Sequence, residues 1–233
     1  MKAILLAGGF GTRLRPITDT IPKCLVKVGK KTILEHWLIK LENLNCDSVL
    51  INTHYLSTQV ENFLDNYSGP LKLKVTHEKI LLGTAGTLIK NIEFFQGEQG
   101  LLIHADNFTN NNLREFVNSH KYKPNNCILT MLTFNTNKPE KCGIVKVDSL
   151  NIVQSFHEKS LENNGNKANG AIYTFDKEFM DWIIKFKKCS KDFSLEILPE
   201  LIGRIFTHHI NDFYIDIGTP ESFVLENGLK VFV

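Results

Sequence analysis

Residues 3–7 (Ala-Ile-Leu-Leu-Ala) and 101–105 (Leu-Leu-Ile-His-Ala) are short, nearly unbroken apolar runs, the pattern of strands covered on both faces in a parallel sheet. Residues 48–52 predict another strand, and 72–77 alternate apolar and polar as a half-covered one. Between these runs the period changes. Ile33, Leu34, Trp37, Leu38, Leu41 and Leu44 recur at helical spacing, which predicts a helix over about 32–45. Ser57 stands as the expected cap of a second helix that carries Val60, Phe63 and Leu64 on one face. Strand–helix alternation implies βαβ units. Further on, strands over 128–134, 143–147, 152–158 and 171–175 are separated by turns, and helices are expected at about 177–187 and 194–202. Two asparagine-rich stretches, 107–112 and 163–169, predict loops. The expected fold is α/β: a Rossmann-like three-layer α/β/α sandwich with a mixed, mainly parallel central sheet.

Composition narrows this picture. With 233 residues, 42% hydrophobic and 22% charged, the chain carries a substantial core and is not disordered. A net charge of +2 offers neither a nucleic-acid nor a membrane surface. Five cysteines, odd in number and never spaced Cys-x-x-Cys, argue against a disulfide framework or a zinc knuckle. The first apolar run is too short for a signal peptide and no later one spans a bilayer, so a reduced, cytoplasmic protein is expected. A homo-oligomer is compatible with the sequence.

Chemistry enters where the first strand ends, in Leu6-Ala7-Gly8-Gly9-Phe10-Gly11-Thr12-Arg13-Leu14-Arg15-Pro16. Glycines there let the backbone turn sharply and bring amides close to a phosphate chain. The segment lacks the Gly-Lys-Ser/Thr of a P-loop, and Leu14 occupies the third-glycine place of a dinucleotide fingerprint. Asp106 follows directly on the buried run 101–105, and ligands in open α/β sheets sit at the carboxyl ends of strands. Asp216 lies in Tyr-Ile-Asp-Ile-Gly-Thr-Pro, a strand end breaking into a turn with a proline-started helix. Two aspartates converging on one site suit magnesium, a hard cation that prefers carboxylate oxygen. Glu158, Lys159 and Asn169 are residue types that read sugar hydroxyls and hold a phosphate.

The segment Leu-Ala-Gly-Gly-x-Gly-Thr-Arg-Leu-Arg-Pro-x-Thr, followed by Pro22-Lys23, resembles the signature of sugar-1-phosphate nucleotidyltransferases. The resemblance extends to Leu-Gly-Thr-Ala-Gly at 82–86, Asp106, Gly143, Glu158-Lys159, Asn169-Gly170 and Ile-Asp-Ile-Gly-Thr-Pro-Glu at 215–221. It runs from Met1 to about Phe223 and is nearest to the short mannose 1-phosphate and D-glycero-D-manno-heptose 1-phosphate guanylyltransferases. It implies one domain over 1–233, with a nucleotide half to about 110 and a sugar half beyond. It implies that Leu6, Ala7, Gly8, Gly9, Gly11, Thr12, Gly83, Thr84 and Ala85 bind nucleotide. Arg13 would act on the departing pyrophosphate and Lys23 on the phosphate under attack. Asp106 and Asp216 would hold Mg2+. Gly143, Glu158 and Asn169 would line the sugar beside Asp106, and Lys159 would anchor its phosphate. Surface-glycan precursor synthesis is a further implication. Three positions depart from the family pattern: Cys24 for proline, and Ala105 and Ala171 for glycine.

A sugar 1-phosphate is largely dianionic near neutral pH, its second pKa lying at about 6, so no general base is required. A glycosyltransferase with Asp-x-Asp is disfavoured because Asn107 and Phe108 follow Asp106. A non-catalytic regulatory relative is disfavoured because the arginine, lysine and both aspartates are retained. For the base, Glu78 stands five residues before Gly83. A carboxylate accepts from both adjacent donors of guanine, which favours GTP over UTP, dTTP or CTP. The expected partners are therefore GTP and a sugar 1-phosphate.

Overall fold

The computed structural model describes residues 1–218 apart from Leu161 and Asn163. The chain runs β1 (Lys2–Leu6), a hairpin of β2 (Lys27–Val28) and β3 (Lys31–Thr32), α1 (Ile33–Asn43), β4 (Ser48–Thr53) and α2 (Ser57–Asp65). There follow β5 (Lys72–His77), α3 (Gly83–Lys90), β6 (Gly100–His104), β7 (Asn107–Thr109), α4 (Arg114–Ser119) and β8 (Leu129–Asn135). The remainder is β9 (Gly143–Val147), β10 (Val153–Glu158), β11 (Lys167–Phe175), α5 (Lys177–Phe186), β12 (Ile205–His209) and β13 (Tyr214–Asp216).

β1 pairs in parallel with β4 on one side and β6 on the other, and β4 pairs in parallel with β5. Successive side chains on these strands face opposite layers. Ala3, Leu5, Val49, Ile51, Leu101 and Ile103 join the apolar cluster that takes in α1, α2 and α4. Ile4, Leu50 and Leu102 join the cluster of α3 and α5 instead. Both faces of β1, β4 and β6 are covered, so these strands read as nearly unbroken apolar runs, while the edge strand β5 stays half-exposed. The expected α/β/α sandwich follows from that double coverage.

The sheet becomes mixed beyond β6. β11 lies antiparallel to β6, β8 and β9, β10 lies antiparallel to β9, and β12 runs parallel to β8. Among the described residues the sheet has nine strands, in the order β10-β9-β11-β6-β1-β4-β5, with β8 against β11 and β12 against β8. β11 is longer than the strand expected at 171–175, and it takes up residues 167–169 of a predicted loop. Its register against β8 slips between Asn169 and Tyr173, and Ala171 there has φ 49°. The slip interrupts the alternation, so the sequence pattern breaks where the strand does not. A left-handed alanine costs about 1–2 kcal/mol, which is why glycine suits this position.

Three other expectations are corrected. Residues 107–109 of the predicted loop 107–112 are strand β7. The predicted helix over 194–202 is a π-helical turn, Phe193–Ile197, followed by a 3-10 turn, Pro199–Leu201; Pro199 supplies no N–H to continue the α-helical ladder. Ser57 is the first residue of α2, whose cap is Leu56 in a left-handed conformation, so its hydroxyl is one position late. By contrast α1 has a side-chain cap, Thr32 Oγ1 accepting the Glu35 N–H at 3.1 Å. The proline-started helix expected after Gly218 lies outside the described residues.

One buried histidine gives the fold a pH dependence. His120 is 4% exposed, with Nδ1 2.7 Å from Thr130 Oγ1. Burial, then the neighbouring Lys123 ammonium, lowers its pKa to about 4. Between that value and the ordinary 6.5 the unfolded chain binds more protons, so stability falls as pH drops through this window. Urea denaturation from pH 7 to 4 should lose up to ~3 kcal/mol on this account. The same series in a His120→Leu variant should show a correspondingly smaller loss; an unchanged slope would remove His120 as its source.

Candidate active site

β1 and β6 are neighbours in parallel, with Leu6 opposite His104, and the sheet order turns back on itself here because β4 lies on the other side of β1. Chains leaving two such strand ends diverge and open a crevice. One departing chain is the glycine loop, the other Ala105-Asp106. Ala7 and Gly8 are not free to meet a ligand with their amides: both N–H groups donate to Asn52 Oδ1, at 2.7 and 3.3 Å. Gly9 is exposed, and with Leu6, Ala7, Lys23, Cys24, Ala105 and Asp106 it borders a hollow of about 50 Å3. Gly11 has φ 64°, and Thr18 Oγ1 donates to its carbonyl at 2.8 Å. Thr12 and Arg13 follow on an exposed 3-10 turn, Thr12–Leu14.

The second carboxylate arrives by a route the sequence does not display. β13 pairs antiparallel with β7, setting Asp216 opposite Asn107, and Ile217 N–H donates to Asp106 O at 3.1 Å. α1 secures this ribbon through Trp37, whose indole N–H donates to Asn107 O at 2.9 Å. Lys23, 8% exposed, reaches between the aspartates. Its Nζ lies 2.6 Å from Asp106 Oδ2 and 3.5 Å from Asp216 Oδ1, while Arg13 Nη2 stands 3.6 Å from Asp216 Oδ2. Desolvation opposes charge on all three groups, although the Asp216 side chain keeps 45% of its surface exposed. It is outweighed at Asp106, where Lys23 brings the pKa down to about 2. It prevails at Asp216, whose pKa is raised by burial and then by facing Asp106. For Lys23 the two carboxylates outweigh burial and hold its pKa above the ordinary value.

This donor set fits magnesium. Among the described residues no group of three or more His, Cys, Asp or Glu side chains could hold a metal, and Asp106 and Asp216 offer a pair. Magnesium is commonly held by one or two carboxylates and completes its octahedron with water and substrate phosphates. Added positive charge would also relieve the repulsion that raises Asp216.

Beyond the aspartates lies a cleft of about 430 Å3, which gathers Arg13, Thr84, Asp106, Gly143, Glu158, Lys159, Asn169 and Asp216. Gly143 sits opposite Glu158 across β9 and β10. A Cβ there would stand 2.7 Å from Glu158 Oε2 and from the Phe156 ring, so glycine is what lets the carboxylate lie over the strand. Lys159 has φ 49° and turns out of β10 with its ammonium 3.4 Å from Glu158 Oε1. Asn169 Oδ1 accepts the Ala171 N–H at 2.9 Å and its Nδ2 donates to Tyr173 Oη at 2.7 Å, which orients it at the β11 irregularity. Sequence reasoning missed His104, Asn107, Asp192, Ser194 and Tyr214, which also line this cleft. Tyr214 stacks on Phe134 at 4.2 Å. Only the Tyr-Ile-Asp motif that contains Tyr214 gave a signal for any of them.

The turn at 82–86, expected to meet the nucleotide, is built by a distant segment. Gly83 has φ 81°, and a Cβ on it would fall 2.4 Å from Lys191 O. Ala85 N–H donates to that carbonyl at 2.9 Å, and Thr84 Oγ1 accepts from Phe193 N–H at 2.8 Å. Ala85 is fully buried, so it backs the turn rather than facing the cleft. Glu78 requires a larger correction. It is 2% exposed; Oε1 accepts from Thr87 Oγ1 at 2.6 Å and Asn52 Nδ2 at 3.3 Å, and Oε2 accepts from Leu82 N–H at 3.0 Å. A carboxylate so enclosed is not an open base edge.

Two of the three family departures are accommodated without strain. Cys24 is 2% exposed and burial pushes its thiol up to about 12, the behaviour of a packing residue. Ala105 is fully buried and its N–H donates to Leu6 O at 3.1 Å.

A glycine loop and two cations face two carboxylates across the carboxyl ends of parallel strands in an α/β protein. The chain belongs to the nucleotidyl transferase family, whose model matches residues 2–228. It is 31% identical over 232 residues to the mannose-1-phosphate guanylyltransferase catalytic subunit beta of Drosophila melanogaster, covering 96% of this chain and 61% of that protein. It is 29% identical over 241 residues to mannose-1-phosphate guanylyltransferase 1 of Arabidopsis thaliana, covering 100% of this chain and 65% of the relative. The chain thus spans 61–65% of the length of these two relatives. Among solved structures, HddC from Yersinia pseudotuberculosis, crystallised with GMP-PN, superposes with a TM-score of 0.81 at 21% identity, covering 97% of this chain and 98% of HddC. A Bacillus anthracis protein crystallised with sucrose superposes with a TM-score of 0.88 at 23% identity, covering 100% of this chain and 96% of the other. These two likenesses establish the fold. No helix among the described residues is long and apolar enough to cross a membrane.

Proposed function

We propose that this chain transfers a nucleotidyl group from a nucleoside triphosphate to a sugar 1-phosphate, releasing pyrophosphate, with GTP as donor and a mannose- or heptose-type acceptor. The observation that carries the reading is the meeting of Arg13, Lys23, Asp106 and Asp216 beside a cleft that Glu158, Lys159 and Asn169 also line. A triphosphate laid along the glycine loop would bring its α-phosphorus to Lys23, while a sugar phosphate held at Lys159 faces it. The acceptor is already an anionic nucleophile, so catalysis reduces to alignment and charge neutralisation. Its phosphate oxygen forms the new P–O bond as the bond to pyrophosphate breaks, and Arg13 receives the departing charge. Asp106 and Asp216 are the residues that would hold magnesium, which supplies further positive charge to the phosphate oxygens.

Support for GTP rests on the relatives named as guanylyltransferases, and on HddC, which was crystallised with GMP-PN. With Glu78 enclosed, its carboxylate no longer argues for guanine. The test is pyrophosphate release with GTP, UTP, dTTP and CTP against mannose, heptose, glucose and N-acetylglucosamine 1-phosphates. GTP with a manno-configured acceptor should lead; a leading pyrimidine nucleotide would move the chain to the uridylyl or thymidylyl reading. On the leading pair, Lys159→Ala should raise the apparent KM for sugar 1-phosphate roughly 10-fold or more, the scale of a lost hydrogen bond to a charged group. The KM for nucleotide should stay within about twofold; equal losses would make Lys159 merely a strand-end residue.

A further inference from the structure

Beneath the glycine loop lies a polar cluster from three elements: Asn52 of β4, Glu78 just after β5 and Thr87 of α3, at 3%, 2% and 1% exposure. Sequence patterns assigned Asn52 and Thr87 no role. We infer that Asn52 is a positioning residue for the nucleotide, holding the phosphate loop and the nucleoside turn in one fixed relation. The inference rests on the nucleotidyl-transfer reading above.

The argument is one of donors and acceptors. Asn52 Oδ1 receives the consecutive N–H groups of Ala7 and Gly8, at 2.7 and 3.3 Å. The loop is thereby tied inward for two residues and released at Gly9, where it becomes exposed beside Lys23 and Asp106. Asn52 Nδ2 donates to Glu78 Oε1 at 3.3 Å and lies 3.4 Å from Thr87 Oγ1, whose hydroxyl donates to the same carboxylate oxygen at 2.6 Å. The other oxygen, Oε2, receives Leu82 N–H at 3.0 Å, immediately before Gly83. One amide thus links two loops more than seventy residues apart in sequence. The close fit extends to Gly8, where a Cβ would stand 2.8 Å from Asn52 Nδ2. A buried network is costly when any member loses its partner, because the low dielectric penalises the orphan.

The cluster has a direction, and reversing it provides the test. Asn52→Asp sets two carboxylates against each other, and Glu78→Gln sets a glutamine N–H2 against either the Asn52 N–H2 or the Leu82 N–H, whichever way its amide turns. In the double variant Asn52→Asp/Glu78→Gln the aspartate still accepts from Ala7 and Gly8. The glutamine nitrogen then donates to it, and the glutamine oxygen accepts from Leu82. Each single variant should lower kcat/KM for nucleotide by roughly 10–100-fold, the scale of one orphaned buried group, with KM for sugar 1-phosphate within about threefold. The double variant should recover to within about fivefold of wild type, a non-additivity expected only of directly coupled residues.

Thermal shift with Mg·GTP and Mg·UTP reads the same pattern without turnover. If wild type transfers nothing in the substrate grid, the proposed reaction fails, yet the nucleotide-dependent shift should still weaken in the singles and return in the double. A double variant no better than the product of its singles overturns the inference. So does a wild type with no nucleotide-dependent shift, or singles that impair both substrates equally. Where Asn52→Asp does not fold, recovery of folded, nucleotide-responsive protein in the double variant supports it, and an equally unfolded double variant overturns it.

Discussion

Asp106→Asn and Asp216→Asn are each expected to lower turnover at least ~100-fold at saturating magnesium, the scale of losing a preorganised charge partner in the transition state. The two carboxylates come from separate strand ends and share one lysine, at 2.6 and 3.5 Å. Asparagine keeps the shape and removes the charge. A loss of catalysis is separable from a loss of fold by following the melting temperature of each variant beside its turnover. Asp106 has a folded pKa depressed to about 2, so its ionised form stabilises the fold above its unfolded value, and this is lost as pH falls through the folded one. Asp106→Asn should therefore lower the melting temperature at neutral pH. Asp216 is 45% exposed and its pKa is raised, by burial and then by Asp106, so Asp216→Asn should cost less melting temperature than Asp106→Asn. Wild-type turnover in both variants would end the assignment of a metal to this pair.

Lys23→Met should cost roughly 100- to 1,000-fold in kcat, in the range measured for removing one preorganised electrostatic group from an active site. Added magnesium should not restore it. Lys23 is the cation nearest the small hollow beneath the glycine loop, where the phosphate under attack would lie. In the proposed reaction its charge would be needed most as the transferring phosphate is attacked, so kcat and kcat/KM should fall together. Lys23→Arg should not rescue. The residue is 8% exposed and packed between two aspartates, and a planar guanidinium is wider than the ammonium that fits there. Unfolding should also become easier at neutral pH, because the paired carboxylates lose their counter-charge. If Lys23→Met keeps its kcat and changes only the KM for nucleotide, the lysine is a binding group and not part of the attack.

Much of the parallel half was legible before any coordinates. Strands covered on both faces must be apolar at every position, so β1 and β6 stand out as runs, and α1 declares itself through the spacing of Ile33, Leu34, Trp37, Leu38 and Leu41, all buried. The glycine loop was legible for a related reason. Sharp turns near phosphate need particular residue types at fixed spacing, and that requirement is local. The same locality placed Asp106 at a strand end.

What the sequence by itself determined, then, is the set of groups and the local conformations that carry them: glycines at turns, cations after the loop, carboxylates at strand ends. The tertiary structure alone decided which groups meet and which are already engaged. β7 and β13 are three-residue strands, too short to show a period, and their pairing brings Asp216 beside Asp106 from 110 positions away. The irregularity at Gly170 and Ala171 hid the first half of β11 for the same reason. Glu78 shows the limit most directly. Its residue type suited a base edge, but the partners that occupy both its oxygens come from β4 and α3 and from the residue before Gly83. A side chain's type limits the hydrogen bonds it can make. The packing of elements distant in sequence determines whether those bonds go to a ligand or to the protein itself.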